Sequence, residues 1–266
     1  MKVNDLLNIK SNYTKMEKKI ILSFLFNCKI NDLYLIEEVD NKIVKKYQKL
    51  IKSDLPLQYL LKEAVFLDNK FFVNKDVLIP RFETEQLVID TNELINKYFK
   101  KPVKIIDVAT GSGIIAISLK KLNNKNTIKA TDISVFALKV AKKNAKKLDV
   151  DIKFIKSDML DKITDKYDVL ISNPPYLNEN ANHIEEKVLK YEPHLALFGG
   201  LKYYKIILKE ASRVLNKQFI IAFEIGYNQK EDINKIVNKY LPNAKIINKK
   251  DLNDFDRYIY IINNFE

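Results

Sequence analysis

Asn173-Pro174-Pro175-Tyr176 is the stretch of this 266-residue chain with the most chemistry to offer. It follows the apolar run Tyr167-Asp168-Val169-Leu170-Ile171-Ser172, which reads as a buried strand. Two consecutive prolines lack the N–H that a central strand must donate, so the strand stops there. A stiff corner then presents an amide and an aromatic ring at the strand's carboxyl end, the edge where open α/β sheets bind ligands. An amide NH₂ is a poor nucleophile, because its lone pair is shared with the carbonyl. A site that methylates such a nitrogen needs two acceptors aimed at its hydrogens. The Asn173 side-chain carbonyl and the Pro174 backbone carbonyl supply that pair on a rigid frame and orient the nitrogen for attack. Tyr176 offers its π face to a planar acceptor or to a sulfonium carrying the methyl group. The plainer alternative is a turn that only ends a strand; the full tetrapeptide directly after an apolar strand favours function.

Two more features sit at predicted strand ends upstream. Ala109-Thr110-Gly111-Ser112-Gly113 follows a strand-like run at 103–108, and its glycines let backbone approach a ligand closely. Asp132 lies 19 residues after Gly113, at the tip of a strand predicted over 127–131, where a carboxylate takes ribose hydroxyls. Alone, such a loop serves many cofactors, and Asp132 reads equally well as a helix-entry residue. A nicotinamide dehydrogenase would explain both features and leave the proline corner idle.

The elements that must position these residues alternate from about residue 101 onward. Helices are predicted at 114–121, from the Ser134 cap with Leu138, Ala141, Ala145 and Leu148 inward, and at 203–215. Further strands are predicted at 152–155, ending at Ser157-Asp158-Met159, and at 219–223, 244–247 and 258–262. Alternation of this kind implies an α/β fold with a mostly parallel, doubly wound sheet. More than twenty residues without a clear pattern follow the proline corner, which suggests a lid. Upstream, Ala64 to Leu67 and Phe71 to Val73 flank Asp68-Asn69-Lys70 as a hairpin. Glu83 and Glu85 suit a first helical turn, and Arg81 reads as a surface ion pair or a site residue. Residues 1 to about 65 look helical. Thr14-Lys15-Met16-Glu17 fits a capping box, followed by Met16, Ile20, Phe24 and Ile21, Leu25 at helical spacing. A short helix fits 32–37, and Asp40 can cap a helix with Ile43, Val44, Tyr47, Leu50 and Ile51 on one face.

Composition narrows the classes further. The chain is 47% hydrophobic, enough for a sizeable core. One cysteine, Cys28, forbids an internal disulfide and a cysteine-rich zinc site, and with only His183 and His194 a metal centre is not expected. No signal peptide or membrane span is visible, so a cytoplasmic protein is expected. The net charge of +12 comes from lysines spread over helices rather than one basic block, which argues against nucleic-acid binding.

Taken together, the chain resembles the release-factor glutamine N5-methyltransferases (the HemK/PrmC type) over nearly all of residues 55–262. The shared segments are Pro56-Leu57-Gln58-Tyr59, Leu78-Ile79-Pro80-Arg81 with Glu83-Thr84-Glu85, and Asp107 through Gly113. Downstream they are Asn173 through Tyr176, Tyr191-Glu192-Pro193-His194-Leu195-Ala196-Leu197, and Glu224-Ile225-Gly226. The resemblance implies a class I methyltransferase fold, Rossmann-like, with S-adenosylmethionine as donor and S-adenosylhomocysteine as product. A helical substrate-docking domain at 1–63, a β-hairpin linker at 64–79 and a methyltransferase domain at 80–266 are expected, the helical part being similar to the family in pattern only. Ala109, Thr110, Gly111, Ser112 and Gly113 would hold the methionine end of the cofactor, Asp132 its ribose, and Asp158 and Met159 its adenine. Asn173 would also border the cofactor, and Asn173, Pro174, Pro175 and Tyr176 would hold the acceptor glutamine of a peptide-chain release factor. A monomer with no membrane and no direct nucleic-acid requirement is expected. Ala109 stands where the family usually has glycine, Met159 where an aromatic often covers adenine, and Phe82 where proline is usual; Gly199-Gly200-Leu201 is shorter than the family's loop. An adenine N6-methyltransferase poses the same chemical problem and is the alternative, with base flipping on duplex substrates. A cofactor-binding protein with a vestigial site is a third reading, on Ala109 alone.

Overall fold

The computed structural model describes residues 1–178 and 184–265. Two compact units divide the chain, Met1–Glu63 and Ala64–Glu266. The first is helical: α1 (Val3–Leu7), α2 (Lys15–Phe26), a 3-10 turn (Ile30–Leu35), α3 (Asn41–Leu50) and α4 (Leu57–Leu61). Thr14 and Glu17 form the predicted capping box, and Asp40 caps α3 by accepting the Lys42 N–H at 2.6 Å. Ile21, Leu22, Val44, Tyr47 and Ile51 bury together with Leu6. The row Met16, Ile20, Phe24 does not face this core: Met16 and Phe24 are exposed, and Lys18 is buried beside Ile21 and Leu22. α2 carries apolar residues on more than one face, so packing chose the face. Lys18 can join it because its ammonium donates to the Leu7 and Ile9 carbonyls while its stem lies in the core.

The second unit opens with the hairpin β1 (Ala64–Phe66) and β2 (Asn69–Phe71). Its turn is Leu67-Asp68, not the predicted Asp68-Asn69-Lys70. Both residues are left-handed, at φ 43° and 58°, as a two-residue hairpin turn of this kind requires. Leu67 is held there by its N–H donating to the Glu85 carboxylate at 2.9 Å and its carbonyl accepting from the Asn69 amide. That tertiary bond to Glu85 was not legible from turn propensity.

There follow α5 (Phe82–Tyr98), β3 (Lys104–Val108), α6 (Ile114–Leu122), β4 (Thr127–Asp132), α7 (Val135–Lys147), β5 (Lys153–Lys156) and β6 (Tyr167–Ser172). Then come α8 (Glu186–Tyr191), a 3-10 turn (His194–Ala196), α9 (Lys202–Val214), β7 (Leu215–Glu224), α10 (Lys230–Tyr240), β8 (Lys245–Lys250) and β9 (Asp256–Asn263). Among the described residues the strands form one sheet in the order β5-β4-β3-β6-β7-β9-β8, with β9 antiparallel to both neighbours and the rest parallel. Two apolar layers cover its faces, one around Val88, Ile115 and Val169, the other around Leu170, Ile207 and Phe223. This is the doubly wound class I methyltransferase fold that the alternation and the resemblance predicted.

Strand order reverses between β3 and β6, and their ends are level: Val108 pairs with Ser172, whose hydroxyl donates to the Val108 carbonyl at 2.6 Å. The glycine loop and the proline corner therefore leave the sheet side by side, at the switch point where such sheets bind ligands. β7 is longer than predicted, because Leu215 pairs with Tyr167 before a register shift that the polar Asn216-Lys217-Gln218 conceals in sequence. The predicted lid is partly helical (α8 and the 3-10 turn); residues 179–183, including His183, lie outside the described residues. No helix among the described residues is long and apolar enough to cross a membrane.

Asn144 ties the hairpin to this edge. Fully buried on α7, it accepts the Phe72 N–H at 2.7 Å and donates to the carbonyls of Phe72 and Ser112, each at 2.9 Å. Asn144→Leu strands those buried groups at about 1–3 kcal/mol each. It should lower unfolding free energy by roughly 2–4 kcal/mol, measured by urea titration; a loss below about 1 kcal/mol would show that the bridge is dispensable.

Candidate active site

A cavity of about 260 Å³ opens at the carboxyl edge of the sheet. Thr110, Gly111, Asp132, Asp158, Met159 and Asn173 line it, joined by Ala109, Ser112 and Pro175. The structure thus brings together predicted site residues that lie up to 66 positions apart in sequence, from Ala109 to Pro175. Gly113, Pro174 and Tyr176 do not line it. Gly113 has φ 83° at the start of α6, and a Cβ there would meet Ala141 and Ile117 at 3.1 Å, so it serves helix packing.

The loop after β3 is built around two carboxylates. Asp107, completely buried, accepts from the Thr110 hydroxyl at 2.5 Å and the Ala116 N–H at 3.2 Å, leaving its other oxygen without a partner. Burial pushes its pKa up to about 7, although those two hydrogen bonds pull it down. Sequence reasoning quoted Asp107 in a motif but gave it no task; an acidic residue ending an apolar strand was the available signal. Asp132 accepts the Gly111 N–H at 2.9 Å and the Ser134 N–H at 2.8 Å. Burial raises its pKa, and these backbone donors oppose the rise. Space above Gly111 is open: a Cβ built there meets no atom within 4 Å.

The proline corner is clamped from below. Asn173 donates from Nδ2 to Thr84 Oγ1 at 3.2 Å, and Thr84 donates to Glu224 Oε2 at 2.6 Å. The Tyr176 hydroxyl donates to Glu224 Oε1 at 3.3 Å. Gln229 donates to the Tyr176 carbonyl at 2.8 Å and accepts the Gly226 N–H at 2.9 Å. Gly199 passes so close that a Cβ would stand 2.3 Å from the Pro175 carbonyl oxygen. Burial raises the pKa of both Glu224 and Tyr176. Thr84 stands in a shared segment with no task read for it, and nothing in sequence marks Gln229 or the partners of either. Arg81 is no plain surface pair: it bonds Glu192 at 2.6 Å, and the buried Glu192 also accepts the Ile79 N–H at 3.0 Å.

Comparison with known proteins fits this geometry. Residues 82–250 match the family model described as the methyltransferase small domain. A release factor glutamine methyltransferase of Mycoplasma mycoides subsp. mycoides is 36% identical, covering 99% of this chain and 97% of that protein. The chain belongs to the release factor glutamine methyltransferase family. Another member, from Flavobacterium psychrophilum, is 37% identical over 91% of this chain and 89% of its own. A ribosomal protein L11 methylase from Lactobacillus delbrueckii subsp. bulgaricus shares the fold at TM-score 0.51 and 23% identity, covering 70% of this chain and 80% of that one.

In this release factor glutamine methyltransferase family member, the residue at 109 has a backbone consequence. Ala109 sits at φ 60°, a left-handed conformation that strains any residue with a Cβ. Ala109→Gly should therefore raise unfolding free energy by about 1 kcal/mol, measured by thermal and urea unfolding. Were the position unstrained, the added chain entropy would make the same substitution destabilising.

Proposed function

We propose that this chain transfers a methyl group from S-adenosylmethionine to the side-chain amide nitrogen of the Gly-Gly-Gln glutamine of a peptide-chain release factor, and so acts in translation termination. The observation that carries this is the Asn173 side chain on the wall of a cavity whose other wall is the β3 loop. The cavity suits the cofactor. Its walls are rich in acceptors, with carboxylates at Asp132 and Asp158, and S-adenosylmethionine carries ammonium, ribose and adenine N–H and O–H donors. The open space above Gly111 is room that a side chain there would fill. Ala109 to Ser112 would hold the methionine end, Asp132 the ribose, and Asp158 and Met159 the adenine, where a thioether packs well on a ring.

When bound, the cofactor supplies an electrophilic methyl group on a sulfonium. Asn173 Oδ1 accepts one hydrogen of the acceptor amide, and the Pro174 carbonyl, at the corner beside the cavity rather than on its wall, would accept the other, so that the pair aims the nitrogen. Pro175 walls the site, and Tyr176 fixes the corner. Attack on the methyl group leaves the amide nitrogen positively charged, and that cation is acidic enough to release a proton to water, so this site requires no strong base. That the relatives are release factor glutamine methyltransferases favours glutamine over an adenine amine as acceptor. We place the protein in the cytoplasm as a monomer acting on protein without a nucleic-acid partner; its single cysteine and dispersed lysines support that setting.

Incubation with labelled S-adenosylmethionine and a purified release factor should label the Gly-Gly-Gln peptide, read by mass spectrometry; label elsewhere only would sink the reading. Asn173→Ala should fold normally and lose on the order of 100-fold or more in single-turnover rate, since it removes one oriented acceptor. Retention of more than about a tenth of the rate would remove Asn173 from this role.

The helical unit Met1–Glu63 is proposed to dock the release factor. It exposes Met16, Phe24, Tyr34 and Leu35, and it carries none of the residues that line the cavity. A chain beginning near Lys62 should still bind S-adenosylmethionine by calorimetry. Its kcat/KM on a whole release factor should fall much further than on a short Gln-containing peptide, because remote binding energy orients the amide. Equal fractional losses would argue against docking by this unit.

A further inference from the structure

With Glu224 ionised, the hydrogen bonds from Asn173 to Glu224 run in one direction. Glu224 ends β7 at 1% exposure, and an ionised carboxylate has no proton to give. Thr84, in the first turn of α5 and equally buried, has one hydroxyl proton, and it goes to Glu224 Oε2 at 2.6 Å. The Thr84 oxygen can then only accept, so Asn173 must turn its NH₂ toward it. The two flips of an asparagine amide fill the same space and differ in which atom faces each way. With Nδ2 committed to Thr84, Oδ1 is the atom left for the cavity that Asn173 lines.

Donors around Glu224 oppose the effect of its burial. Burial and the Glu83 charge raise its pKa, while the Thr84 hydroxyl, the Arg257 charge and the Tyr176 hydroxyl favour the ionised form. Its second oxygen also receives a donor, the Tyr176 hydroxyl. Nothing in the transfer reaction itself uses Thr84 or Glu224.

We infer that Thr84, ordered by Glu224, is a positioning residue that sets acceptor specificity: it holds Asn173 with its carbonyl toward the acceptor, so the site takes an amide and rejects a carboxylate of the same shape. The inference rests on the glutamine acceptor proposed above. A glutamine NH₂ gives its hydrogens to Asn173 Oδ1 and a neighbouring carbonyl. A glutamate would set a charged oxygen against the same acceptors, and sites built around a substrate N–H reject analogues lacking it strongly. Were Asn173 flipped, its NH₂ would welcome that carboxylate.

The test uses the full-length protein and purified release factor, with a release-factor variant bearing glutamate at the acceptor position as competitive inhibitor. Docking away from the amide contributes equally to both, so the ratio of the inhibitor's Ki to the native factor's KM isolates the acceptor pocket. Thr84→Val keeps the size of the side chain and frees Asn173 to turn. It should lower the Ki/KM ratio roughly tenfold or more and lower kcat about tenfold, with S-adenosylmethionine affinity by calorimetry within about twofold of wild type. Thr84→Ser should restore the wild-type ratio. A folded Thr84→Val protein with an unchanged ratio overturns the inference. Thr84→Val leaves a buried carboxylate oxygen unpaired and could prevent folding. In that event Glu224→Gln is read the same way, since an amide there can either donate or accept and no longer fixes the direction. A lowered ratio supports the inference and an unchanged ratio overturns it. A wild-type protein that leaves the release factor unmethylated overturns the proposed acceptor, and this inference with it.

Discussion

A carboxylate sealed in the core, Glu224, is the constraint on which the acceptor side of this molecule depends. Charge at 1% exposure is costly unless every lone pair finds a partner. Here the partners come from different elements: the Thr84 hydroxyl from α5 and the Tyr176 hydroxyl from the proline corner. The Tyr204 hydroxyl from α9 donates to the Glu224 backbone carbonyl at 2.7 Å, and Arg257 on β9 donates to the next carbonyl, Ile225, at 3.1 Å. Satisfying one buried carboxylate thus ties α5 and β7 to the corner that carries Asn173, and the backbone carbonyls of Glu224 and Ile225 tie in α9 and β9. A corner on loose loops would leave the acceptor nitrogen free to turn, and orientation is most of what such a site can contribute.

The donor side is organised differently, mainly by backbone. Asp132 at the end of β4 accepts N–H groups from both Gly111 and Ser134, so one side chain sets the loop after β3 and the entry to α7. Asn144 then joins that loop to the hairpin through Ser112 and Phe72. The loop is tight enough to hold Ala109, Gly111 and Gly113 at positive φ. The two halves meet where β3 and β6 end level, which follows from the register of Val108 with Ser172 rather than from any contact between the loops.

Much of this was legible in the chain. Alternating apolar runs and caps gave β6, α6, α7 and the α/β class; the Thr14 and Asp40 caps formed as read, because capping is local chemistry. Asp132 and the glycine loop were found because a strand end and its turn are neighbours in sequence. Local signals failed where a distant partner decided. Met16 and Phe24 keep helical spacing yet lie outside the core, and the hairpin turn shifted to Leu67 because Glu85, eighteen residues on, takes its N–H.

The sequence by itself determined which chemistry was possible, since an amide before two prolines and an acidic strand tip are properties of residue type and order. Tertiary structure alone decided which atoms face the cavity. Thr84, Asn173 and Glu224 stand far apart in the chain, and no periodicity links them. Only the fold brings them within hydrogen-bond distance, and only the direction of those bonds turns the Asn173 carbonyl toward the site. Hydrogen-bond polarity depends on which donors and acceptors meet in space, and a linear order of residues does not contain it.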